Sequence, residues 1–407
     1  MTLIKCFTVS HIDNITACLR LRPEKMIMVG EADEMNQPIG RYRNLLQRRG
    51  QHTEITACNV QDKDFEDICG VLNSLVKQEA DCVIDLTGGD ASVILAVGAV
   101  LAGLDQSARQ RIRVEKYDHD ANAVLDYMHD NRRIPYHPIG LTAEELVALH
   151  GGAVHPDSYQ PPLDYSIQAL EALWDVVSSD PKAWNRGITQ LNEFESRSDS
   201  KTQVYLPLAY LRDSISNFNQ KEVIVRDLLE KLQQCGVIHG NFGINGMEYT
   251  YADSLMRYCT LMAGNVLEVK TILEGRAVQE NGEPFFSDCR MGVNIDWDGI
   301  VHDPEEQIPE TRNEVDAVLM HGVTPLFVSC KNGKIGEEEL YKLHTVAHRF
   351  GGPYAKKMLI ATELDQKSPV ANRAFIQRAW DMHIYLVTDA ADLTREEWSR
   401  IFMQAMQ

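Results

Sequence analysis

The sequence lacks several patterns that would assign a function at once. Its nine cysteines include no C-x-x-C pair and no metal-ligand spacing, which argues against a zinc site or a disulfide framework and fits reduced thiols. There is no G-x-G-x-x-G motif, so an ordinary dinucleotide site is not expected. The first residues do not resemble a signal peptide, and the longest apolar run, 91–104, is too short to span a bilayer. We expect a soluble, cytoplasmic protein without a membrane partner.

Positive charge is also scarce. The 407 residues include 40 Lys and Arg against 59 Asp and Glu, which gives a net charge of -19 at pH 7. This balance argues against a protein that coats nucleic acid by bulk electrostatics, so any contact with nucleic acid must be local. The length predicts two or three domains, each large enough for its own core.

The first third of the chain alternates between strand and helix patterns. Apolar, β-branched runs predict strands at 3–9, 26–29, 53–60, 82–86 and 112–117. Helical spacing predicts helices at 41–49, 65–77 and 91–102. This alternation indicates a parallel sheet flanked by helices, a Rossmann-like domain, in which ligands bind outside the carboxyl ends of the strands.

Two of these strand ends are polar. The fourth predicted strand runs directly into Thr87-Gly88-Gly89-Asp90, and the first ends in Thr8-Val9-Ser10-His11. Backbone amides and the Thr87 hydroxyl can face a phosphate at the start of a helix, and Asp90 could serve an adenine amino group or a ribose hydroxyl. The alternative is a tight turn in which Asp90 caps the following helix.

The middle of the chain is more mixed. Thr142 and Glu145 have capping-box spacing and predict a short helix at 142–149, followed by a Gly- and Pro-rich connector at 151–162. Helices are predicted at 165–177 and 223–234, and a hairpin follows the second, which is typical of a winged helix. Because acidic and basic residues mix on the exposed face of that helix, a structural role is favoured over DNA reading.

The stretch 313–333 predicts a hairpin, with strands at 315–320 and 326–330. Ser329 and Lys331 project on one face, about 7 Å apart at roughly 3.3 Å per residue, and Asp316 interrupts the first strand. Such a carboxylate can hold a hard divalent cation, while the ammonium positions or helps deprotonate water and offsets charge on a phosphate under attack. The alternative is an ion pair at the rim of a sheet.

The segments on both sides of the hairpin complete an α/β pattern. A helix at 258–274 precedes it and carries Glu268. After it come a helix at 337–350, a strand at 358–361, a helix capped by Ser368, a strand at 383–387 and a last helix that begins at Thr394 with Glu397 in capping-box spacing.

The hairpin and its neighbours resemble the PD-(D/E)XK nuclease core, with Asp316 as its aspartate and Ser329-Cys330-Lys331 in place of (D/E)-x-K. Ser329 therefore stands where a second carboxylate is expected, and Glu268 or Glu314 would have to replace it. The resemblance implies that Asp316 and Glu268 hold Mn²⁺ or Mg²⁺, that Lys331 contacts water and phosphate, and that Ser329 hydrogen-bonds a water of the metal.

The whole arrangement is similar to the CARF-domain nucleases of type III CRISPR defence, the Card and Can group. In that family the T-G-G turn and the end of the first strand contact a cyclic oligoadenylate, usually cyclic tetra-adenylate, across the twofold axis of a homodimer. Five residues are thereby implied as ligand contacts: Ser10, Thr87, Gly88, Gly89 and Asp90.

The same resemblance implies a domain order and a function. It predicts a Rossmann-like CARF domain at 1–140, a linker and winged-helix-like segment at 141–256, and a restriction-endonuclease-like α/β domain at 257–407. The implied activity is metal-dependent cleavage of DNA and/or RNA, switched on by the cyclic oligoadenylate in antiviral defence. The alternative is a catalytically weak or inactive sensor that acts as a DNA-binding regulator. A nucleotide-dependent enzyme is disfavoured by the missing glycine motif.

Overall fold

The computed structural model describes residues 1–61, 64–79, 81–119, 123–128, 132–135, 139–156, 158, 167–198, 200, 203–302, 311–333, 335–363 and 368–407. Two larger sheets and one small three-stranded sheet organise these residues. Among the described helices, none has the length and apolar character needed to cross a membrane.

Seven strands form the N-terminal sheet, in the order β3-β2-β1-β4-β5-β6-β7. They are β1 Thr2–Cys6, β2 Lys25–Gly30, β3 Glu54–Asn59, β4 Cys82–Asp85, β5 Ile112–Asp118, β6 Ala123–Asp126 and β7 Arg132–Pro135. The first five run parallel, as the sequence predicts, and β6 and β7 extend the sheet in antiparallel fashion. The sequence analysis missed this extension because the two strands are only four residues long.

Five helices accompany this sheet: α1 His11–Leu21, α2 Ala32–Arg48, α3 Phe65–Gln78, α4 Ala91–Ala102 and α5 Gln106–Gln110. The sequence analysis did not predict α1, whose residues from Ile12 to Leu19 are all buried and therefore show no clear polar face. It also began α2 nine residues too late, because Pro38 lies inside the helix, near its start.

The middle of the chain contributes helices and a small sheet. Its elements are α6 Ala143–Leu149, β8 Ala153–Val154, α7 Ile167–Ser179, α8 Pro181–Glu195, β9 Gln203–Pro207, α9 Leu208–Ser214, α10 Phe218–Gln234, β10 Ile238–Phe242 and β11 Gly246–Tyr251. The Thr142–Glu145 capping box of α6 is present. The predicted connector at 151–162 contains the strand β8, which pairs with a strand of the C-terminal sheet. Its residues 157 and 159–162 lie outside the described part of the chain.

The C-terminal sheet has the order β18-β17-β16-β15-β14-β8. Its further strands are β14 Asp288–Asp296, β15 Arg312–His321, β16 Thr324–Lys331, β17 Lys356–Ala361 and β18 Tyr385–Val387, and a separate small hairpin pairs β12 Gln279–Glu280 with β13 Glu283–Pro284. The flanking helices are α11 Ser254–Leu261, α12 Asn265–Ala277, α13 Glu337–Gly351, α14 Pro369–Asp381 and α15 Arg395–Ala405. A Rossmann-like N-terminal domain and a C-terminal α/β domain are thus confirmed as the fold class.

Two predicted elements differ in detail. The helix expected at 258–274 is two helices, because the backbone becomes extended at Met262 and α12 starts anew after Gly264. The turn of the β15–β16 hairpin is only Gly322-Val323, with Gly322 at a φ of 61°. Both strands therefore extend closer to the turn than the Gly and Pro residues in the sequence had indicated, and Pro325 is part of β16.

One hydrophobic core joins the two large sheets. It contains Ile15 of α1 and Tyr42 of α2, Leu146 of α6, and Val318 of β15 and Phe350 of α13. The core continues across the boundary that the sequence predicts near residue 140, and α11 spans the one predicted at 256/257. The two large sheets are therefore packed against one continuous hydrophobic core.

A buried ion pair anchors the centre of the N-terminal sheet. The Lys5 Nζ of β1 lies 2.9 Å from Asp85 Oδ2 at the end of β4, and the two side chains are 0% and 1% exposed. The same ammonium donates a hydrogen bond to the carbonyl oxygen of Thr87. The T-G-G turn is therefore tied to the first strand by a charge that has no access to water.

We expect Lys5→Met to lower the free energy of unfolding by about 3–5 kcal/mol, because it leaves the Asp85 carboxylate buried without its partner. The double variant Lys5→Met/Asp85→Asn removes that charge, and it should recover most of the loss. Urea unfolding followed by circular dichroism measures both. Equal loss in the single and double variants would contradict this account of the pair.

Candidate active site

The strands of the β15–β16 hairpin separate at their open end. Backbone pairing runs from the turn to Ala317 and Val328 and stops there. Two residues beyond Val328, the backbone N–H of Cys330 donates over 2.6 Å to Oδ2 of Asp316, the residue directly before Ala317. If the two strands had stayed paired, a backbone carbonyl of β15 would have accepted this hydrogen bond, and the Asp316 carboxylate accepts it instead. Where the strands separate, polar side chains lie at the edge of the core.

Three donors converge on the same oxygen. Besides the Cys330 N–H, the Ser329 hydroxyl and the Lys331 ammonium each lie 3.2 Å from Asp316 Oδ2. The sequence prediction that Asp316 and Lys331 lie close together on one side of the hairpin agrees with this geometry. The Ser329 hydroxyl donates to Asp316, and its hydrogen bond to a water of the metal stays a prediction.

Lys331 has a second carboxylate partner. Its Nζ lies 3.2 Å from Glu339 Oε2, in the first turn of α13. Burial acts to lower the pKa of Lys331, but Asp316 and Glu339 outweigh it and raise the pKa above its usual value. Lys331 therefore stays an ammonium at neutral pH, which suits holding a phosphate and offsetting charge. Its predicted help in deprotonating water stays a prediction.

Glu268 of α12 faces the same region. Burial, the Asp316 charge and the Glu314 charge together raise the pKa of Glu268 to about 7, although the Tyr258 hydroxyl donates to its Oε2 over 2.9 Å. Glu314 lies two residues before Asp316 on β15 and hence on the same face of that strand. The three carboxylates create an excess of negative charge on the helix side of the hairpin.

This charge distribution fits a hard divalent cation. Among the described residues no cluster of three or more His, Cys, Asp or Glu is arranged to hold a metal, and Ser329 supplies no carboxylate. Mg²⁺, however, commonly binds through one or two carboxylates and completes its shell with water. Asp316 and Glu268 can provide that pair, and a cation there would remove the repulsion that raises the pKa of Glu268.

The middle of the chain supports the loops around this site. Asn185 of α8 donates to the carbonyl of Asn332, the residue after Lys331, over 2.9 Å. Asn332 in turn donates to the Ala263 carbonyl over 3.0 Å, and Trp184 donates to that carbonyl over 3.0 Å. The break between α11 and α12 is therefore fixed to the end of β16, which holds Glu268 in position relative to Lys331.

Sequence reasoning missed two of these partners. Tyr258 lies ten residues before Glu268, beyond one helical turn, and the two meet only because the helix is broken between them. Glu339 is one of three consecutive glutamates at the start of α13, and each of them is favoured there by the helix dipole. No feature of the sequence distinguishes the one that reaches Lys331.

The polar side chains in and near the T-G-G turn form hydrogen bonds within the N-terminal domain. The Thr87 hydroxyl donates to Asp85 Oδ1 over 2.5 Å and accepts the Tyr117 N–H over 2.8 Å, and Thr87 is 1% exposed. The expectation that this hydroxyl faces a phosphate is therefore not met. Ser10 is buried as the N-cap of α1, and Asp90 caps α4, as the alternative interpretation of the turn proposed.

Gly88 is tightly packed against α1. Its φ is 69°, and a Cβ at this position would lie 2.6 Å from Asp13 Oδ2. The Asp13 carboxylate accepts from His119 Nε2 over 2.8 Å and from the Tyr354 hydroxyl over 3.0 Å. Tyr354 follows α13, in the turn Gly352–Tyr354. The T-G-G turn thus contacts, through one carboxylate, the far end of the helix that carries Glu339.

Two solved structures have the same overall fold. The crystal structure of protein VC1899 from Vibrio cholerae is 16% identical, with a TM-score of 0.73 over 100% of this chain and 97% of that one. Can2 from Sulfobacillus thermosulfidooxidans, in complex with cyclic tetra-adenylate, is 14% identical, with a TM-score of 0.66 over 100% and 99%. At this identity the likeness concerns the fold. No protein-family model and no curated protein matches the chain.

We expect the affinity for Mn²⁺ to rise about tenfold between pH 6 and pH 8. The pKa of Glu268 is raised to about 7, so below that pH the cation must displace a proton from this carboxyl, and above it the carboxylate is free to bind. Glu268→Gln should bind Mn²⁺ more weakly and lose this pH dependence. Electron paramagnetic resonance of free Mn²⁺ measures both, with the exposed Glu230→Gln as control. An unchanged pH profile in Glu268→Gln would remove Glu268 from the metal site.

Proposed function

We propose that this chain is a metal-dependent nuclease whose activity is switched by a cyclic oligoadenylate. The observation that carries the proposal is the convergence of Asp316, Lys331 and Glu268 at the open end of the β15–β16 hairpin. The fold shared with a protein that was solved in complex with cyclic tetra-adenylate supports the sensing half. The PD-(D/E)XK resemblance of the hairpin supports the cutting half, on DNA and/or RNA in type III CRISPR defence.

In this proposal each side chain has a defined task. Asp316 and Glu268 would hold Mn²⁺ or Mg²⁺, which when bound supplies an acidified water and neutralises charge on the phosphate. Ser329 and the Cys330 N–H hold the Asp316 carboxylate in one orientation by donating to its Oδ2. The Lys331 ammonium offsets negative charge on the phosphodiester, and Glu339 keeps that ammonium beside the strand end.

Switching requires that the ligand bind the competent arrangement more tightly than the resting one. Asp13 offers a route, because it touches the T-G-G turn at Gly88 and Tyr354 beyond the end of α13. A ligand that displaces the turn would alter the Asp13–Tyr354 hydrogen bond. The displacement would pass along α13, whose first turn holds Lys331 through Glu339.

A homodimer is part of the proposal. The helix α4, directly after the T-G-G turn, exposes an apolar face that includes Ile94 at 43% and Leu95 at 65% exposure. Three of its other exposed positions, Gly98, Ala99 and Ala102, have small side chains or none and would allow close packing. A second copy of the chain is the occupant that this face fits, because a twofold axis there would place two T-G-G turns beside one ligand ring.

A second candidate function is a sensor that does not cut. It is favoured by Ser329, which supplies no carboxylate on β16, and by the three donors that already engage Asp316 Oδ2. DNA reading by the winged-helix-like segment is less favoured. The basic residues Lys221, Arg226 and Lys231 of α10 are each paired with a carboxylate.

The test of the nuclease is cleavage of supercoiled plasmid and labelled single strands with Mn²⁺, with and without cyclic tetra-adenylate. We expect cutting that needs both additions and falls at least about a hundredfold in Asp316→Ala and Lys331→Met, with ligand binding retained, because the two sites lie in different domains. The exposed ion pair of α10 provides matched controls, Asp227→Ala and Lys231→Met, which should cut as the wild type does.

The opposite separation is expected at the sensing turn. Gly89→Val should lose ligand binding and response, because a branched side chain blocks approach to the backbone, while metal binding is kept. Gly88 is unsuitable for this purpose, since any side chain there would collide with Asp13. Intact substrates together with ligand binding by the wild type would favour the non-cutting sensor, and equal loss of cutting and ligand binding in Asp316→Ala would contradict the two-site proposal.

For the dimer, we expect Leu95→Glu to raise the dissociation constant at least about tenfold, because it buries a charge in an apolar interface. Val370→Glu on α14 is the matched control, since Val370 is 66% exposed and Leu95 is 65% exposed. Sedimentation velocity across micromolar concentrations measures the change. A wild type that sediments as a monomer, or a Leu95→Glu variant that dimerises as tightly as the wild type, would remove α4 from the proposed interface.

A further inference from the structure

Four basic side chains meet where the N-terminal domain contacts the C-terminal sheet. They are His11 of α1, Arg41 of α2, His150 at the end of α6 and Arg349 of α13, called here the junction cluster. The rings of His11 and His150 have their centroids 5.3 Å apart. A Cβ on Gly151 would lie 2.7 Å from Arg41 Nη1 and 4.0 Å from Arg349 Nη2, so the two guanidinium groups border the same small space.

The two imidazoles of the junction cluster are neutral at pH 7. Burial lowers the pKa of His11 to about 3, and the positive groups around it contribute. Burial, Arg41 and Arg349 lower the pKa of His150 to about 4, although the Leu146 carbonyl acts in the opposite direction. The contacts are consistent with this state, since His11 Nε2 faces Arg41 Nη2 at 3.3 Å and therefore accepts from it.

The guanidinium groups lack a negative partner. Among the described residues neither Arg41 nor Arg349 forms an ion pair, and the buried Arg41 Nε has no hydrogen-bond partner. The Arg349 guanidinium lies over the Phe350 ring, 5.4 Å from its centroid. Buried N–H donors are nearly always satisfied, and two like charges at one space repel each other. An anion would satisfy both guanidinium groups, and it can enter from solvent because Arg349 is exposed.

The position of the cluster indicates which anion. His11 directly follows Ser10 at the carboxyl end of β1, the edge at which sheets of this kind bind phosphorylated ligands. Arginine guanidinium groups bind phosphate oxygens with paired N–H donors. We propose that the junction cluster binds a phosphate-class anion and that this anion joins the N-terminal domain to α13. The phosphate would come either from a nucleotide ligand at the T-G-G turn or from free phosphate.

The test is a calorimetric titration of the full chain with inorganic phosphate at constant ionic strength, without metal or nucleic acid. We expect saturable binding by the wild type and at least about tenfold weaker binding by Arg41→Met and by Arg349→Met, because each removes charged hydrogen bonds. Arg373→Met, an exposed change on α14, should bind as the wild type does. Circular dichroism verifies that each variant is folded. Absence of saturable binding, or equal binding by all variants, overturns the proposal.

A second titration, with cyclic tetra-adenylate already bound, identifies the source. If phosphate no longer binds, the result supports the site and identifies a phosphate of the cyclic tetra-adenylate ring as its occupant. Retained binding that still depends on Arg349 would support the site with free phosphate as its occupant. The first titration uses no cyclic tetra-adenylate and measures no cleavage. The proposal of a phosphate site can therefore be wrong while the proposed nuclease function is right, and the reverse also holds.

Discussion

The hydrogen bond from the Cys330 N–H to the Asp316 carboxylate is the contact on which the C-terminal site depends. A buried strand N–H must find an acceptor, and where β15 and β16 part the side chain of Asp316 supplies it. That requirement holds the carboxylate at the strand end in a single orientation. Lys331, one residue further, then has its charge satisfied by the same oxygen and by Glu339.

The carboxylates at the open end of the hairpin differ in their electrostatic surroundings. Lys331 lies between two of them and holds its proton. Burial and the Asp316 charge raise the pKa of Glu268 to about 7, although the Tyr258 hydroxyl and the Lys331 charge act in the opposite direction. Groups whose pKa values are driven apart in one site are typical of sites that perform chemistry. This asymmetry supports the proposed function beside the convergence of Asp316, Lys331 and Glu268.

The N-terminal domain and the C-terminal domain are packed against each other. A common core runs from α1 and α2 to β15 and α13, and the Asp13–Tyr354 hydrogen bond and the junction cluster also connect the N-terminal helices to the C-terminal part of the chain. The helix α13 contributes to the core, carries Glu339 in its first turn and Arg349 in its last, and is followed by Tyr354. A rigid helix with contacts at both ends is a suitable element for transmitting a change between the two sheets.

Local sequence patterns determined most of the alternating strands and helices of the N-terminal domain, though not α1, β6 or β7, and they determined the capping boxes at Thr142 and Thr394. They also predicted that Asp316 faces Lys331, because such features depend on neighbours along the chain or across one hairpin. Only the tertiary structure decided that the Thr87 hydroxyl is directed inward, that Glu339 reaches Lys331, and that Arg41 meets Arg349. Those contacts depend on how separate strands, turns and helices pack together. Their partners are selected by packing between whole elements, and a local pattern carries no record of it.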